Sequence, residues 1–149
     1  MSVIDADTHV DESESTWAKL EGTPYEKYMP LTVNLPPEVS ERAGFRGLTS
    51  RKWVVEDRMQ PRAVRDEVNH PLRVRRELED VPGRLAHMDE MGVDVQVIFP
   101  TFFVRYSTNN AEAEWALTTT YNRWLAEKCA PTNGRLQWAA VLPFLQPDA

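Results

Sequence analysis

The sequence has one cysteine, Cys129, which excludes an internal disulfide and any cysteine-based zinc knuckle. Close to the end of an expected helix, that residue reads as a small buried apolar side chain. No apolar run approaches the roughly 18 residues that a membrane-spanning helix needs. No charged-then-apolar leader opens the chain either, so a soluble, cytoplasmic protein without membrane contact is expected. Positive charge is also scarce, with 17 Lys and Arg against 23 Asp and Glu for a net charge of -6. This balance argues against a nucleic-acid partner, which would call for a basic patch. The densest basic run, "RVRRELED", is diluted by its own acids and reads as a solvated helix face. Histidine is sparse too, at three residues.

What is present is enough for one ordinary domain: 149 residues, 42% of them hydrophobic, with five Trp as large burial units. The segment "VIDADTHVDE" reads as a first strand over residues 1–10. Alternation along a strand puts Ile4, Ala6, Thr8 and Val10 on one face and Asp5, Asp7, His9 and Asp11 on the other. At a solvated edge such polarity needs no explanation. Inside a fold, the acids and the imidazole need a shared partner, and a metal ion supplies one.

Residues 11–79 lose clear periodicity and carry scattered Pro and Gly, so they read as a long insert. Within it, "PPEVSERAG" suggests a short helix opened by Pro and closed by Gly44. "RKWVVEDRMQPR" suggests a small hairpin turning near Glu56 and Asp57. Trp17 and Trp53 read as packing for this insert, with a lid over a site as the other role open to them. Residues 80–149 then read as helix, strand, helix, strand. Asp80 caps a helix with Pro82 in its first turn, Val81, Leu85 and Met88 form its apolar stripe, and Gly92 stops it. "VDVQVIFP" is the next strand. A helix over about 111–130 follows with Leu117, Tyr121, Trp124 and Leu125 on one side, and "RLQWAAVLPF" is the third strand. Strands alternating with helices predict an α/β fold with parallel pairing through right-handed crossovers.

In such folds the active groups sit at the carboxyl ends of the strands. Asp7 and His9 are there, at i and i+2, and imidazole with carboxylate suits Zn²⁺ or Mn²⁺. Thr101, Phe102, Phe103, Arg105 and Tyr106 follow the second strand of the series and lie at the same mouth. Arg105 suits a substrate carboxylate and Phe103 an aromatic ring. His70, in "NHP" inside the insert, reads as a loop histidine. His87 and Asp89 are two apart on a helix and share no face.

"VIDADTHVDE", together with "RLAHMDEMGVDVQVIFPT", "YNRWLAEKCAP" and "GRLQWAAVLPFLQPDA", resembles the N-terminal part of the amidohydrolase-related family. The branch in question contains aminocarboxymuconate-semialdehyde and hydroxybenzoate-type decarboxylases and hydrolases. The resemblance implies the first three or so strands of a (β/α)8 TIM-type barrel, with a divalent metal at its carboxyl mouth and a long insert after the first strand. It also implies hydrolysis or decarboxylation of a small carboxylated or aromatic or cyclic substrate. The family's D-x-H-x-H pattern falls on Asp5, Asp7 and His9, with a carboxylate where the first metal-binding His is expected. Carboxylate favours harder ions than imidazole does. The further ligands and the general base of that family belong to later strands, so the chain reads as the front of a longer enzyme. Homo-oligomerisation is compatible with that reading. The competing expectation is a non-catalytic α/β remnant acting by association.

Overall fold

A computed structural model describes residues 1–44, 50–62 and 70–146, without the side chains of residues 70 and 71. Residues 63–69 of the run "MQPRAVRDEVNHP" and the closing 147–149 of "LQPDA" lie outside the described residues. The described residues form a mixed α/β fold with two three-stranded sheets.

The first sheet is parallel and joins β1 (Ile4–Val10), β5 (Val95–Pro100) and β6 (Leu136–Trp138) in the order β1-β5-β6. Its crossovers carry α4 (Val81–Met91) and α5 (Ala111–Cys129). Both helices begin as their caps dictate. The Asp80 carboxylate accepts from the Gly83 N–H at 2.9 Å, and Asn110 accepts from the N–H groups of Glu112 and Ala113. Gly92 ends α4 in the left-handed region, at φ 68°, which glycine adopts without steric cost. Met88 and the α5 residues Leu117, Tyr121, Trp124 and Leu125 are buried against the sheet with Val10, Ile98 and Leu136.

The third strand is shorter than its sequence suggests. After Trp138 only the Ala139 N–H still reaches the sheet, at Ile98 O. Asn122 of α5 then takes both backbone groups of Val141, accepting its N–H and donating to its carbonyl. A side-chain amide thus replaces the ladder, and the chain peels away from β5.

The insert has more structure than its composition suggests. β2 (Leu31–Asn34), β3 (Arg51–Val55) and β4 (Arg58–Pro61) form an antiparallel sheet, and α2 (Pro37–Arg42) stands between the first two. The expected hairpin is β3–β4, with Glu56 at φ 53° in its turn. β2 has four residues and no buried face, so it carries no alternating pattern to read. Short α1 (Glu14–Trp17) follows β1, and α3 (His70–Arg76) places His70 at a helix start rather than in a loop.

This sheet is fastened to the rest by aromatic and ionic packing. Trp17 and Trp53 are fully buried and meet edge to face with ring centres 6.3 Å apart, and both contact Phe102. The Arg62 guanidinium lies 4.6 Å over the Trp53 ring, hydrogen-bonds Glu14 and Thr32, and sits 3.4 Å from Glu77. Glu77 also accepts from Arg51 at 2.9 Å. These two Trp residues are packing groups, and neither lines the open pocket at the strand ends described below.

Removing the cap of α4 gives a simple test of this local reading. Asp80→Ala is expected to cost about 1 kcal/mol, read as a lower urea midpoint at unchanged m-value. An unchanged midpoint would contradict it.

Candidate active site

The first strand does not alternate evenly. Its register with β5 runs Asp5 to Gln96 and then Thr8 to Ile98, three steps on β1 against two on β5. A bulge therefore sits at Ala6 and Asp7, and such insertions re-aim side chains near functional sites. Asp5 holds the irregularity itself. One carboxylate oxygen accepts the Asp7 N–H at 3.2 Å, an Asx-type bond two residues along the chain. The other accepts from the Thr8 hydroxyl at 2.5 Å and from Gln96 Nε2 at 3.2 Å. The Thr8 bond in particular holds the Asp5 carboxyl below the ordinary range, with smaller help from Asp7, Gln96 and Arg84.

The bulge divides the acids that even alternation would have grouped. Asp5 shares the helix-facing side with Thr8, Gln96 and, through Gln96, Arg84. Asp7 and His9 stay together on the other side, joined by Ala6. These three line an open pocket of about 570 Å³ at the carboxyl end of β1 and β5. Most of its remaining lining is apolar: Phe99, Pro100, Phe103, Leu142 and Phe144 among others.

His9 is oriented by a backbone carbonyl. Its Nδ1 lies 3.0 Å from Pro100 O, so Nδ1 carries the proton that this contact requires, and in the neutral ring Nε2 then keeps its lone pair. Metal-bound histidines are held in this way by a donor bond from their second nitrogen. The donor chemistry of Asp7 and His9 therefore fits one side of a divalent-metal shell. Among the described residues no group of three His, Cys, Asp or Glu is close enough to hold an ion, whereas zinc enzymes commonly use three protein ligands.

The substrate-contact candidates separate. Phe103 lines the pocket, whereas Arg105 is exposed just past the 3-10 turn Phe102–Val104 and is not among the lining residues. His87 and Asp89 go separate ways, as the helical spacing requires. Asp89 pairs with Arg135 at 2.7 Å, while His87 faces a cavity on the helix side of the sheet.

Glu12 is the residue whose role sequence reading missed. It is fully buried, and its two carboxylate oxygens accept the N–H groups of Thr101 and Phe102 at 3.1 and 2.8 Å. It thereby ties the end of β1 to the turn that presents Phe103. Burial pushes its carboxyl up to about 8, against the opposing pull of these backbone donors. The signal available in sequence was an acid directly past the mouth-facing end of a strand. The hairpin of the insert braces the same loop, through Gln60 to Phe102 O, Tyr106 to Glu56 and Arg58 to Ser107 O.

These features define a parallel β/α unit with a polar pair and an apolar pocket at its strand ends. A solved structure of an amidohydrolase from Mycobacterium avium subsp. paratuberculosis K-10 is similar to it, with a TM-score of 0.63 at 18% sequence identity. The match covers 95% of this chain and 42% of that one, so the chain spans about two fifths of that protein's length. No family model matches the sequence, and no curated protein matches it. At this identity the likeness concerns the fold. Among the described residues no helix is long and apolar enough to cross a membrane.

Glu12 yields a pH prediction. Its carboxyl is raised from an ordinary 4.5 to about 8, so the folded chain binds this proton more tightly than the unfolded one. The stabilisation is full below about pH 4.5 and is lost as pH rises to about 8. Urea unfolding across this range is expected to show falling stability in the native chain and a flatter profile in Glu12→Gln. Equal slopes would contradict the assignment.

Proposed function

We propose that this chain carries the first β/α units of a (β/α)8 barrel of the amidohydrolase-related, decarboxylase-like type. In this reading the barrel acts as a metal-dependent hydrolase or decarboxylase. The observation that carries it is the pairing of Asp7 with a His9 whose Nε2 is left available by the Pro100 carbonyl, on one pocket at the strand ends. Asp7 and His9 are the proposed ligands, for Zn²⁺ first and Mn²⁺ second. A bound ion at this place supplies Lewis acidity and an activated water.

The rest of the reading concerns the substrate. An apolar wall containing Phe99, Phe103 and Phe144 suits a small aromatic or cyclic molecule. Phe103 offers a ring face to it. Arg105, exposed just past the turn and outside the pocket lining, is the proposed partner for a substrate carboxylate. Asp5 and Glu12 act at one remove, Asp5 by holding the backbone of Asp7 at the bulge and Glu12 by fixing the turn that bears Phe103.

A second reading has one observation in its favour: the described residues bring together two potential ligands, not three. On that reading the unit is a non-catalytic module working by association, including association with a second copy of itself.

Elemental analysis after loading with zinc and desalting separates the two. The native chain is expected to retain zinc, and His9→Ala and Asp7→Ala to retain far less, with affinity lower by about tenfold or more. Equal zinc in all three would remove both residues from the site and leave the associating module.

A further inference from the structure

The far side of the same sheet has a concentration of positive charge that the proposed activity does not use. A cavity of about 70 Å³ lies between α3, α4 and the start of β5, lined by Leu72, Arg75, Arg76, Arg84, His87, Met88 and Gln96. Arg75, Arg76, Arg84 and His87 thus all contribute to the lining of one small space.

The charges facing it are poorly compensated. Arg84 is 6% exposed, yet its hydrogen bonds go only to neutral acceptors: Gln96 Oε1 at 3.0 Å, Arg75 O at 3.3 Å and His9 O at 3.4 Å. A buried charge is ordinarily paired with an opposite one. Burial, with the Arg76 charge adding to it, works against the protonated guanidinium, while Cys129, Asp11 and Asp5 act in its favour. Arg76 is ion-paired with the Asp11 carboxylate, Nε to Oδ2 at 2.9 Å, while its buried Nε and Nη2 make no hydrogen bond. Arg75 has no ion-pair partner among the described residues. The acids nearby are engaged, Asp11 with Arg76 and Asp5 with Thr8 and Gln96.

We infer that this cavity is an oxyanion site that takes a phosphoryl group, free or at the end of a small phosphomonoester. Arg84 forms its buried floor, and Arg75 and His87, both partly exposed, form its rim. A tetrahedral anion accepts from several guanidinium forks at once, which water does with less charge compensation. The site is independent of the proposed metal pair, because Gln96 and Arg84 lie on the opposite face of the sheet from Asp7 and His9.

Calorimetric titration of the full chain at constant ionic strength tests it, with inorganic phosphate, glycerol phosphate and acetate as separate probes. Saturable binding of either phosphate compound is expected, and the tighter of the two identifies the source. Arg75→Gln, which removes no side-chain hydrogen bond or ion pair among the described residues, is expected to weaken that binding by about tenfold. Arg123→Gln, the same charge change on an exposed part of α5, is expected to leave it unaltered. Absence of saturable phosphate binding to the native chain would overturn the inference. So would equal weakening in the two variants, or acetate binding as tightly as phosphate. Zinc content in these variants stays at the native level if the two sites are separate, so failure here is distinguishable from failure of the metal reading.

Discussion

The arrangement at the strand ends depends on one carboxylate. Asp5 accepts the Asp7 N–H, the Thr8 hydroxyl and the Gln96 amide, and so supports an extra residue in the first strand. Without that residue, regular alternation would keep Asp5, Asp7 and His9 on one face. With it, Asp5 goes to the helix side and satisfies polar groups there, while Asp7 and His9 are presented together to the open pocket. A buried-side acid that is fully hydrogen-bonded costs the fold little. The pair left on the pocket side is free to meet a ligand.

The neighbouring elements keep this mouth in place. Glu12 joins the end of the first strand to the turn after the second strand of the parallel sheet. The antiparallel sheet of the insert grips the same turn through Gln60 and Tyr106, and is itself held by Arg62 between Trp53, Glu14 and Glu77. Such an ion network gives weak net stability but penalises any other arrangement, because Arg62 or Glu77 left alone is a buried charge. The insert thus acts as a brace for the Phe103 turn, and none of its described residues lines the pocket wall.

Elements with strong local chemistry were legible in the sequence. The helices 81–91 and 111–129, the strand before Pro100 and the Glu56 hairpin follow from Asp80, Gly92, the apolar face of Leu117, Tyr121, Trp124 and Leu125, and the β-branched run. What escaped was set by tertiary partners. β2 is too short to carry a period, and the third strand ends early because Asn122, 19 residues away, captures Val141. The bulge depends on Gln96, 91 positions from Asp5, and strict alternation therefore misplaced Asp5. The same alternation still paired Asp7 with His9, and both line one pocket although the irregularity falls at Ala6 and Asp7. Glu12 was readable as an acid past a strand, but its burial needs the whole turn.

Paramagnetic broadening by Mn²⁺ tests most directly whether Asp7 and His9 act as a metal-binding pair at this mouth. Titrated into the histidine-labelled chain, the ion is expected to broaden the imidazole signals of His9 at low occupancy. Those of His87, across the sheet, should keep their width. Broadening of His87 ahead of His9, or none at His9, would contradict the account.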